Sequence, residues 1–416
     1  MKLTTVAKMK ELENNANAGG YGFEKMMLKA GQGLAALVDD RYRWGEGNYV
    51  LALVGGGNNG GDTLVALIEL QKRGWQCSAF LLKEEAAQAG WIDSLRLLGG
   101  KIFLLDQVGL SGLESAVNEA DLILDGAIGT GFVGSLRPPY QDVLKRTGEL
   151  AQDKIIVAVD CPSGTNCDTG EICDATLTCD LTVCMEAIKE GLLKFPAFEV
   201  CGELSTVELG IPAKFIKAAG MTDRVIDREW VKSALPLRPI NSHKGIFGHL
   251  VVCGGSVNYP GAPMLAAKSA YRVGAGLVEC AIPERIYEAA ANNNLESIFT
   301  LLECEDGVIT ENAWQTLRTK LAEVNCLLFG PGIGHEDTTF RFLQRVLFTV
   351  ESKNQTSGTG FVPSHSEKKT ATSVSLPPVV IDADGLRLMA RVEDWHHKIE
   401  TQLVLTPHPG EMSALT

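Results

Sequence analysis

A glycine-rich stretch, Gly55-Gly56-Gly57-Asn58-Asn59-Gly60-Gly61-Asp62, decides the fold of the first half of this chain. It follows the short apolar run Tyr49–Val54 and leads into an apolar helical pattern over residues 64–73. Glycines let a backbone turn sharply and approach a ligand closely, because no Cβ is in the way. The free N–H groups at the start of a helix favour an anion. The stretch therefore predicts a strand, a turn and a helix, with an anionic group bound at the turn.

Two features of this stretch point to different ligands. Its spacing satisfies G-x-G-x-x-G, the dinucleotide-binding fingerprint, but that pattern is weak when it stands alone. Asn58, Asn59 and Asp62 are extra polar residues within it. Their carbonyl and carboxylate oxygens suit a hard cation or a hydroxylated ligand. A plain tight turn would not require so many special residues.

Strands and helices alternate outward from this turn. Further apolar strands are predicted at 77–82, 102–105, 122–125 and 155–160, with helices among them. Apolar strands separated by helices are typical of a parallel sheet that is covered on both faces. We therefore predict an α/β domain over residues 1–215, Rossmann-like and built of three layers, αβα.

Polar residues follow two more of these strands. Asp125 precedes Gly126-Ala127-Ile128-Gly129-Thr130-Gly131, and Asp160 precedes Cys161-Pro162-Ser163-Gly164. Open parallel sheets bind ligands outside the carboxyl ends of their strands. Capping of the following helix is the alternative role for each aspartate taken alone. The residues that we expect to meet at this edge of the sheet are Asn59, Asp62, Asp125, Asp160 and Ser163.

The same alternation restarts after residue 240. Strands are predicted at 249–253, 277–282, 325–329, 379–382 and 402–405. The segment 213–240 contains Pro236 and Pro239 and interrupts the pattern, so we place a second α/β domain at 225–416. Residues 350–377 are rich in Ser, Thr and Lys without periodicity, which predicts a disordered insertion.

Bulk properties exclude several classes of protein. The formal charge of −13 and the isoelectric point near 5.1 argue against nucleic-acid binding, which favours a basic surface. No apolar run approaches the roughly 20 residues that cross a bilayer. The first residues lack the apolar core of a signal peptide. We therefore expect a cytoplasmic protein that contacts neither nucleic acid nor membrane.

The 11 cysteines are scattered without a C-x-x-C pair, which indicates reduced structural thiols. Five of them recur at intervals of five or six residues, namely Cys161, Cys167, Cys173, Cys179 and Cys184. This spacing suits neither a zinc knuckle nor an iron–sulfur run. We predict no metal centre at these cysteines.

Three motifs together, GGGNNGGD at 55–62, DGAIGTG at 125–131 and VDCPSG at 159–164, resemble the N-terminal domain of the bifunctional NAD(P)H-hydrate repair enzymes. The resemblance covers residues 1–215, with Thr63 standing where the family has a glycine. It implies interconversion of R- and S-NADHX and of R- and S-NADPHX, in which water has added to the reduced nicotinamide ring. It also implies a K⁺ ion held by Asn59, Asp125 and Ser163, and we expect a homo-oligomer. The implied substrate contacts are Asn58, Asn59, Gly60, Gly61, Asp62, Gly129, Thr130, Gly131, Phe132, Val133, Gly134, Ser135 and Asp160.

The implied reaction needs a group that moves a proton. The C–O bond of the hydrate, or the ring C–N bond, must open and re-form. A carboxylate can move the proton. We assign this catalytic role to Asp125 and expect Asp160 to orient the substrate. A nearby cation and the helix start would hold the pyrophosphate and tune the pKa of the carboxylate.

Motifs of the second domain resemble the ADP/ATP-dependent NAD(P)H-hydrate dehydratases, which have a ribokinase-like fold. They are Gly254-Gly255-Ser256, Gly330-Pro331-Gly332-Ile333-Gly334, Asp382-Ala383-Asp384 and Pro407-His408-Pro409. The resemblance implies substrate contacts at Ala262, Gly332 and His408, with ADP or ATP and Mg²⁺ as cofactors. The family's nucleotide-binding turn, N-x-G-x-G-G-x-G-D, does not occur before Thr416. We therefore expect an incomplete ribokinase-like domain and no dehydratase activity from residues 1–416 alone.

Two other functions fit parts of the pattern. An NAD-dependent dehydrogenase would use the G-x-G-x-x-G turn, with Glu84 contacting a ribose. Against it, all seven histidines follow residue 240, so the first domain lacks a histidine proton relay. A non-catalytic nucleotide-binding or scaffold protein is the second alternative, although binding alone would not require the full set of aspartates and asparagines.

Overall fold

The computed structural model describes residues 1–45, 48–83, 88–348 and 376–416. The chain forms two compact units, Met1–Leu235 and Pro236–Thr416. The first unit extends past the predicted end at residue 215, because the chain returns to its own start. There the backbone N–H of Val225 donates to Met1 O at 2.9 Å, and the terminal amine of Met1 pairs with Asp227.

A seven-stranded parallel sheet forms the centre of the first unit. Its order is β4-β3-β2-β5-β6-β7-β9. A separate parallel pair joins β1 to β8. The strands are β1 (Leu3–Thr4), β2 (Tyr49–Val54), β3 (Gln76–Leu81), β4 (Lys101–Leu104), β5 (Leu122–Gly126), β6 (Ile155–Val159), β7 (Leu181–Met185), β8 (Ile188–Lys189) and β9 (Glu203–Val207).

Helices cover both faces of this sheet. They are α1 (Val6–Ala18), α2 (Phe23–Tyr42), α3 (Asn58–Lys72), α4 (Ala89–Leu97), α5 (Leu105–Glu119), α6 (Tyr140–Leu150), α7 (Ala197–Val200), α8 (Ala213–Ala218) and α9 (Arg228–Ala234), with a 3₁₀ turn at Glu190–Leu193. Successive side chains of a strand point to opposite faces. Ala52 of β2 accordingly lies in one core with Leu67 of α3, and Leu53 lies in the other with Val143 of α6. This confirms the predicted three-layer αβα fold.

The strand order reverses at β2, with β3 and β4 on one side and β5 and β6 on the other. Open α/β sheets bind ligands at such a switch point, beyond the carboxyl ends of the strands. The glycine-rich stretch leaves β2 at this place, and the loop that begins with Ala127 leaves β5 beside it.

The second unit contains a six-stranded parallel sheet in the order β12-β11-β10-β15-β16-β17, and a short antiparallel pair, β13 with β14. Its strands are β10 (His249–Cys253), β11 (Leu277–Pro283), β12 (Ile298–Leu302), β13 (Cys304–Glu305), β14 (Val308–Ile309), β15 (Cys326–Phe329), β16 (Val379–Ile381) and β17 (Leu403–Leu405). Its helices are α10 (Ala262–Val273), α11 (Tyr287–Asn293), α12 (Trp314–Leu321), α13 (Asp337–Leu347), α14 (Asp384–Met389), α15 (Trp395–Lys398) and α16 (Pro409–Leu415), with 3₁₀ turns at Lys244–Phe247, Glu284–Ile286 and Glu311–Ala313.

The predicted strands lie within one or two residues of the observed ones. The helix after the glycine-rich stretch starts earlier than predicted, at Asn58 instead of Leu64, because Gly57 already acts as its N-cap. The predicted insertion at 350–377 lies outside the described residues, apart from Leu376 and Pro377. Within the described ranges, no helix has the length and apolar character needed to cross a membrane.

Candidate active site

The glycine-rich turn brings the start of α3 close to the backbone of the strand end. A Cβ on Gly60 would lie 1.9 Å from the carbonyl oxygen of Gly55, so this position requires glycine. The side chain of Gln88 spans the same turn, since its Nε2 donates to the carbonyls of Gly55 and Gly57, each at 3.0 Å. The turn is thereby fixed with the N-terminus of α3 facing the carboxyl edge of the sheet, which favours an anion there.

Asn59 is a buried amide that has no hydrogen-bond partner among the described residues. Its side chain is 7% exposed, and neither its Oδ1 nor its Nδ2 has a hydrogen-bond partner in the described part of the chain. The loop after β5 lies against it, because a Cβ on Gly129 would be 3.1 Å from the Cβ of Asn59. A buried polar group without a partner costs about 1–3 kcal/mol, so a bound ligand is the expected compensation.

Asp125 and Ser163 form a fully buried pair beneath this loop. Ser163 donates to Asp125 through Oγ at 2.5 Å and through its backbone N–H at 2.8 Å. The Ser163 Oγ also accepts from the N–H of Ile128 at 2.8 Å, next to Gly129. Burial raises the pKa of Asp125, although the hydrogen bonds from Ser163 oppose the shift. Asn59, Asp125 and Ser163 thus belong to one contiguous cluster.

Thr63 stands where the resembled family has a glycine, and its side chain fits because the neighbouring Gly126 has none. Its Oγ1 donates to the carbonyl of Asn59 at 2.6 Å, and the residue is fully buried. A Cβ on Gly126 would lie 1.9 Å from that Oγ1. Thr63 therefore occupies the space that Gly126 leaves open, and it holds the backbone of Asn59.

Asp160 is anchored by a buried lysine. Its backbone is left-handed, with φ of 66°, and its Oδ1 accepts from the N–H of Met185 at 2.8 Å. The same oxygen is ion-paired with Lys189, whose side chain is 1% exposed and also donates to Met185 O at 3.2 Å. Burial lowers the pKa of Lys189, but the charge of Asp160, its hydrogen bond with Lys189 and the neighbouring groups together outweigh burial, so the pKa is raised overall. Lys189 was not identified from the sequence, because a lysine at the end of the two-residue strand β8 gives no sign of burial.

A cleft of about 900 Å³ opens at this edge of the sheet. It is lined by the glycine-rich stretch, the loop after β5, Asp160 and one face of α1. The predicted site residues on its wall are Asn58, Asn59, Asp62, Gly129, Thr130, Gly131, Phe132, Val133 and Asp160.

Several predicted site residues do not line this cleft. Gly60 and Gly61 are buried within α3, and Gly134 and Ser135 are exposed further along the loop. Asp125, to which we assigned proton transfer, is 0% exposed and lies beneath the wall with both carboxylate oxygens engaged by Ser163. Asp125 therefore does not reach the cleft, where a proton carrier would have to touch the substrate. Glu84, the ribose contact of the dehydrogenase alternative, lies outside the described residues.

Two carboxyl groups of the cleft have raised pKa values. Burial raises the pKa of Asp62 well above its usual range, and the charges of Asp160 and Glu13 add to the shift. Burial and the charge of Asp160 also raise the pKa of Glu13 on α1, partly offset by Lys189 and Lys10. Glu13 was missed in the sequence analysis, because nothing in its local pattern connects α1 with the edge of the sheet.

Two known sequence families match separate parts of the chain. The family described as YjeF-related protein N-terminus matches residues 23–191, and the family NAD(P)H-hydrate dehydratase matches residues 250–355. The bifunctional NAD(P)H-hydrate repair enzyme Nnr of Moorella thermoacetica is 31% identical over 100% of this chain and 75% of its own length. The chain belongs to the family of bifunctional NAD(P)H-hydrate repair enzymes. The enzyme of the same description from Coxiella burnetii is 30% identical over 98% of this chain and 74% of its own.

Two solved structures each match about half of this family member. Yeast ynu0 (YNL200c) matches 55% of this chain and 98% of its own, at 19% identity and a TM-score of 0.47. An ADP/ATP-dependent NAD(P)H-hydrate dehydratase from Bacillus subtilis, co-crystallised with ATP/Mg²⁺, matches 47% of this chain and 57% of its own, at 25% identity and a TM-score of 0.32.

In the second unit of this repair-family chain, the predicted site residues follow the carboxyl ends of parallel strands. Ala262 begins α10 after β10, and Gly332 follows β15, the neighbouring strand. They lie side by side, since a Cβ on Gly332 would be 2.9 Å from the Cβ of Ala262. His408 follows β17 and caps α16, where its Nδ1 accepts from the N–H of Gly410 at 3.0 Å. This bond leaves the ring proton on Nε2, which faces Glu411 Oε1 at 3.3 Å.

The regularly spaced cysteines divide between two apolar clusters. Cys161, Cys167 and Cys184 pack with Cys201 and neighbouring aliphatic side chains, whereas Cys179 belongs to the core under α5 and α6. Across the described ranges, no group of three or more His, Cys, Asp or Glu side chains is arranged to hold a metal ion. Burial raises the pKa of the Cys184 thiol, so this side chain is held as a neutral apolar group.

Proposed function

We propose that the first unit of this protein interconverts the R and S forms of hydrated NADH and NADPH. One observation carries the proposal: the amide of Asn59, which has no partner among the described residues, lines a cleft together with Asp62 and Asp160, and the buried Asp125–Ser163 pair lies behind the loop that contacts Asn59. Such a cleft offers a helix start for the pyrophosphate and carboxyl groups for proton transfer. Membership of the repair-enzyme family gives the substrate class.

A K⁺ ion fits the cluster of Asn59, Asp125 and Ser163. All three present oxygen atoms, which hard cations prefer. The Oδ1 of Asn59 is the decisive atom, because it is buried and has no partner in the described chain. A bound cation would offset the negative charge of the buried Asp125 and of the pyrophosphate nearby. Substrate orientation and proton transfer are functions of the protein's own side chains.

The cleft can hold and orient the substrate as follows. The N–H groups at the start of α3, fixed by Gln88, face the pyrophosphate. The loop Gly129–Val133 covers the nucleotide on the other side of the turn. Asp160, anchored by Lys189, presents its second carboxylate oxygen to the hydroxyl groups of the substrate.

For the second unit we propose the dehydration of the S form with ADP or ATP and Mg²⁺. The family match over residues 250–355 supports it, together with the neighbouring positions of Ala262 and Gly332 at the carboxyl ends of β10 and β15. This proposal is tested by adding S-NADHX, ATP and Mg²⁺ to the purified protein and following the formation of NADH, whose absence would refute it.

The epimerase proposal is tested with purified protein and R-NADHX in buffers that contain KCl or choline chloride. We expect S-NADHX to form, faster with K⁺. Asn59→Leu should abolish the K⁺ stimulation and lower the rate on the order of 10- to 100-fold, as the loss of groups that orient a bound metal typically does. Products are separated by chromatography.

Asn118→Leu is the matched control, since Asn118 is an exposed asparagine of α5. It should keep the rate and the K⁺ response of the wild type. Unchanged R-NADHX with wild-type protein would show that this unit binds nucleotide without catalysis, and oxidation to NAD would support a dehydrogenase instead. Equal epimerisation rates in KCl and choline chloride would refute the proposed K⁺ site but not the epimerase function.

A further inference from the structure

Helix α1 contributes a stripe of side chains to the cleft. Val6, Met9, Lys10 and Glu13 all line it, and their spacing of three and four residues places them on one face of the helix. Val6 and Met9 are buried, whereas Glu13 is half-buried and reaches the cleft from outside the parallel sheet. Glu13 is therefore a carboxyl group that faces the substrate space from a separate element.

Three carboxyl groups share this cleft, and they differ in their surroundings. Asp160 is tied to the buried ammonium of Lys189 and to the N–H of Met185. Glu13 and Asp62 have raised pKa values, caused first by burial and then by the charge of Asp160. The cationic groups around them are Lys10, Lys83 and Lys189. A carboxyl group whose surroundings raise its pKa is suited to act as a general acid.

We propose that Glu13 is the acid–base residue of the epimerisation, an inference that rests on the function proposed for the first unit. Protonated Glu13 donates its proton to the hydroxyl of the hydrated ring. The C–O bond breaks, its electron pair leaves with the oxygen as water, and the lone pair of the ring nitrogen forms a C=N⁺ bond. Water then adds to the opposite face of the same carbon, and its surplus proton returns through solvent to the Glu13 carboxylate. The sum of the steps is an inversion without net gain or loss of atoms.

The other carboxyl groups are less suited to this role. Asp125 lies beneath the wall with both oxygens engaged by Ser163. Asp160 has one oxygen committed to Lys189 and Met185, which suits orientation of the substrate. Asp62 belongs to the first turns of α3, beside the turn that we assign to the pyrophosphate. Glu13 comes from a separate helix, α1, and is partly open to water that can exchange its proton.

The test compares Glu13→Gln, Glu13→Asp and wild type with R-NADHX and K⁺. Glu13→Gln keeps the size of the side chain but cannot transfer a proton, so kcat should fall about 10²- to 10⁴-fold while KM stays near the wild-type value. Glu13→Asp should restore part of kcat. The wild-type kcat should decline as pH rises through the pKa of Glu13, because the acid form is lost, and Glu13→Gln should lack this decline. In H₂¹⁸O the product should acquire one labelled oxygen.

Glu11→Gln is the control, because Glu11 is exposed on the same helix. It should retain wild-type kcat and pH dependence. A Glu13→Gln variant with wild-type kcat, or one in which only KM rises, would overturn the assignment and leave the epimerase function standing. Unlabelled product would overturn the C–O mechanism. Wild-type protein that fails to convert R-NADHX would refute both the function and the role of Glu13.

Discussion

At the scale of single residues, Lys189 is a buried side chain of the site that no sequence pattern singled out. It is 1% exposed and holds Asp160 at the cleft. Removal of one partner from a buried ion pair leaves the other charge uncompensated and typically costs about 3–5 kcal/mol. We expect Lys189→Met to lose stability of that order and to lower activity, because Asp160 is no longer held. Urea unfolding at pH 7 measures the loss.

The pH dependence of this loss has a definite sign. The pKa of Lys189 is raised above the ordinary 10.5 in the folded protein, so its contribution to stability is complete below that value and is lost as pH rises through the folded pKa. The difference in the free energy of unfolding between wild type and Lys189→Met should therefore persist at neutral pH and become smaller only in strongly alkaline solution. Lys194→Met is the control, since Lys194 is exposed. An equal loss of stability in Lys189→Met and Lys194→Met would contradict a stabilising contribution of the buried Lys189–Asp160 ion pair.

At the scale of elements, the turn between β2 and α3 depends on a side chain from a distant segment. Gln88 donates to the carbonyls of Gly55 and Gly57 and is 4% exposed. Gln88→Met keeps a similar volume but removes the hydrogen bond to the buried carbonyl of Gly55, which costs about 1–3 kcal/mol. We expect a lower free energy of unfolding and a higher KM for R-NADHX, because the helix start is less firmly placed. Gln107→Met, on the exposed side of α5, should change neither. A wild-type KM in Gln88→Met would show that the turn holds its shape alone.

The same elements show what sequence reasoning can reach. The strands β2, β5 and β6 were predicted because strands buried on both faces are continuous apolar runs. Strands β7 and β9 were not identified, since Thr182 and Cys184 in the former and Ser205 and Thr206 in the latter interrupt the apolar pattern. Gln88 and Glu13 could not be found this way, because their contacts with the site join segments far apart in the chain.

At the scale of the whole molecule, the sequence predicts which edge of the sheet carries the site. It does not predict how deeply each side chain at that edge is buried. Because parallel strands end at one edge, the strand-end motifs predict neighbouring positions there, and in the structure Ser163 bonds to Asp125 while Asn59 contacts the loop after Asp125. Whether a carboxyl group faces the cleft or lies beneath it depends on packing, as Asp125 shows. The exposure of a carboxyl group to the cleft decides whether it can transfer a proton to a substrate, and this exposure is known only from the structure.

Each unit has hydrophobic cores of its own, which leads to a prediction for the whole chain. The cores under the seven-stranded sheet and those under the six-stranded sheet share no residues. We expect two calorimetric transitions, and K⁺ with a substrate analogue should raise only the one that belongs to the first unit. A ligand at 100 times its Kd stabilises the state that it binds by about 2.7 kcal/mol. Asn59→Leu should abolish the shift, whereas ATP with Mg²⁺ should leave the first unit's transition in place. A shift of both transitions by K⁺ and analogue would mean that the two units unfold together.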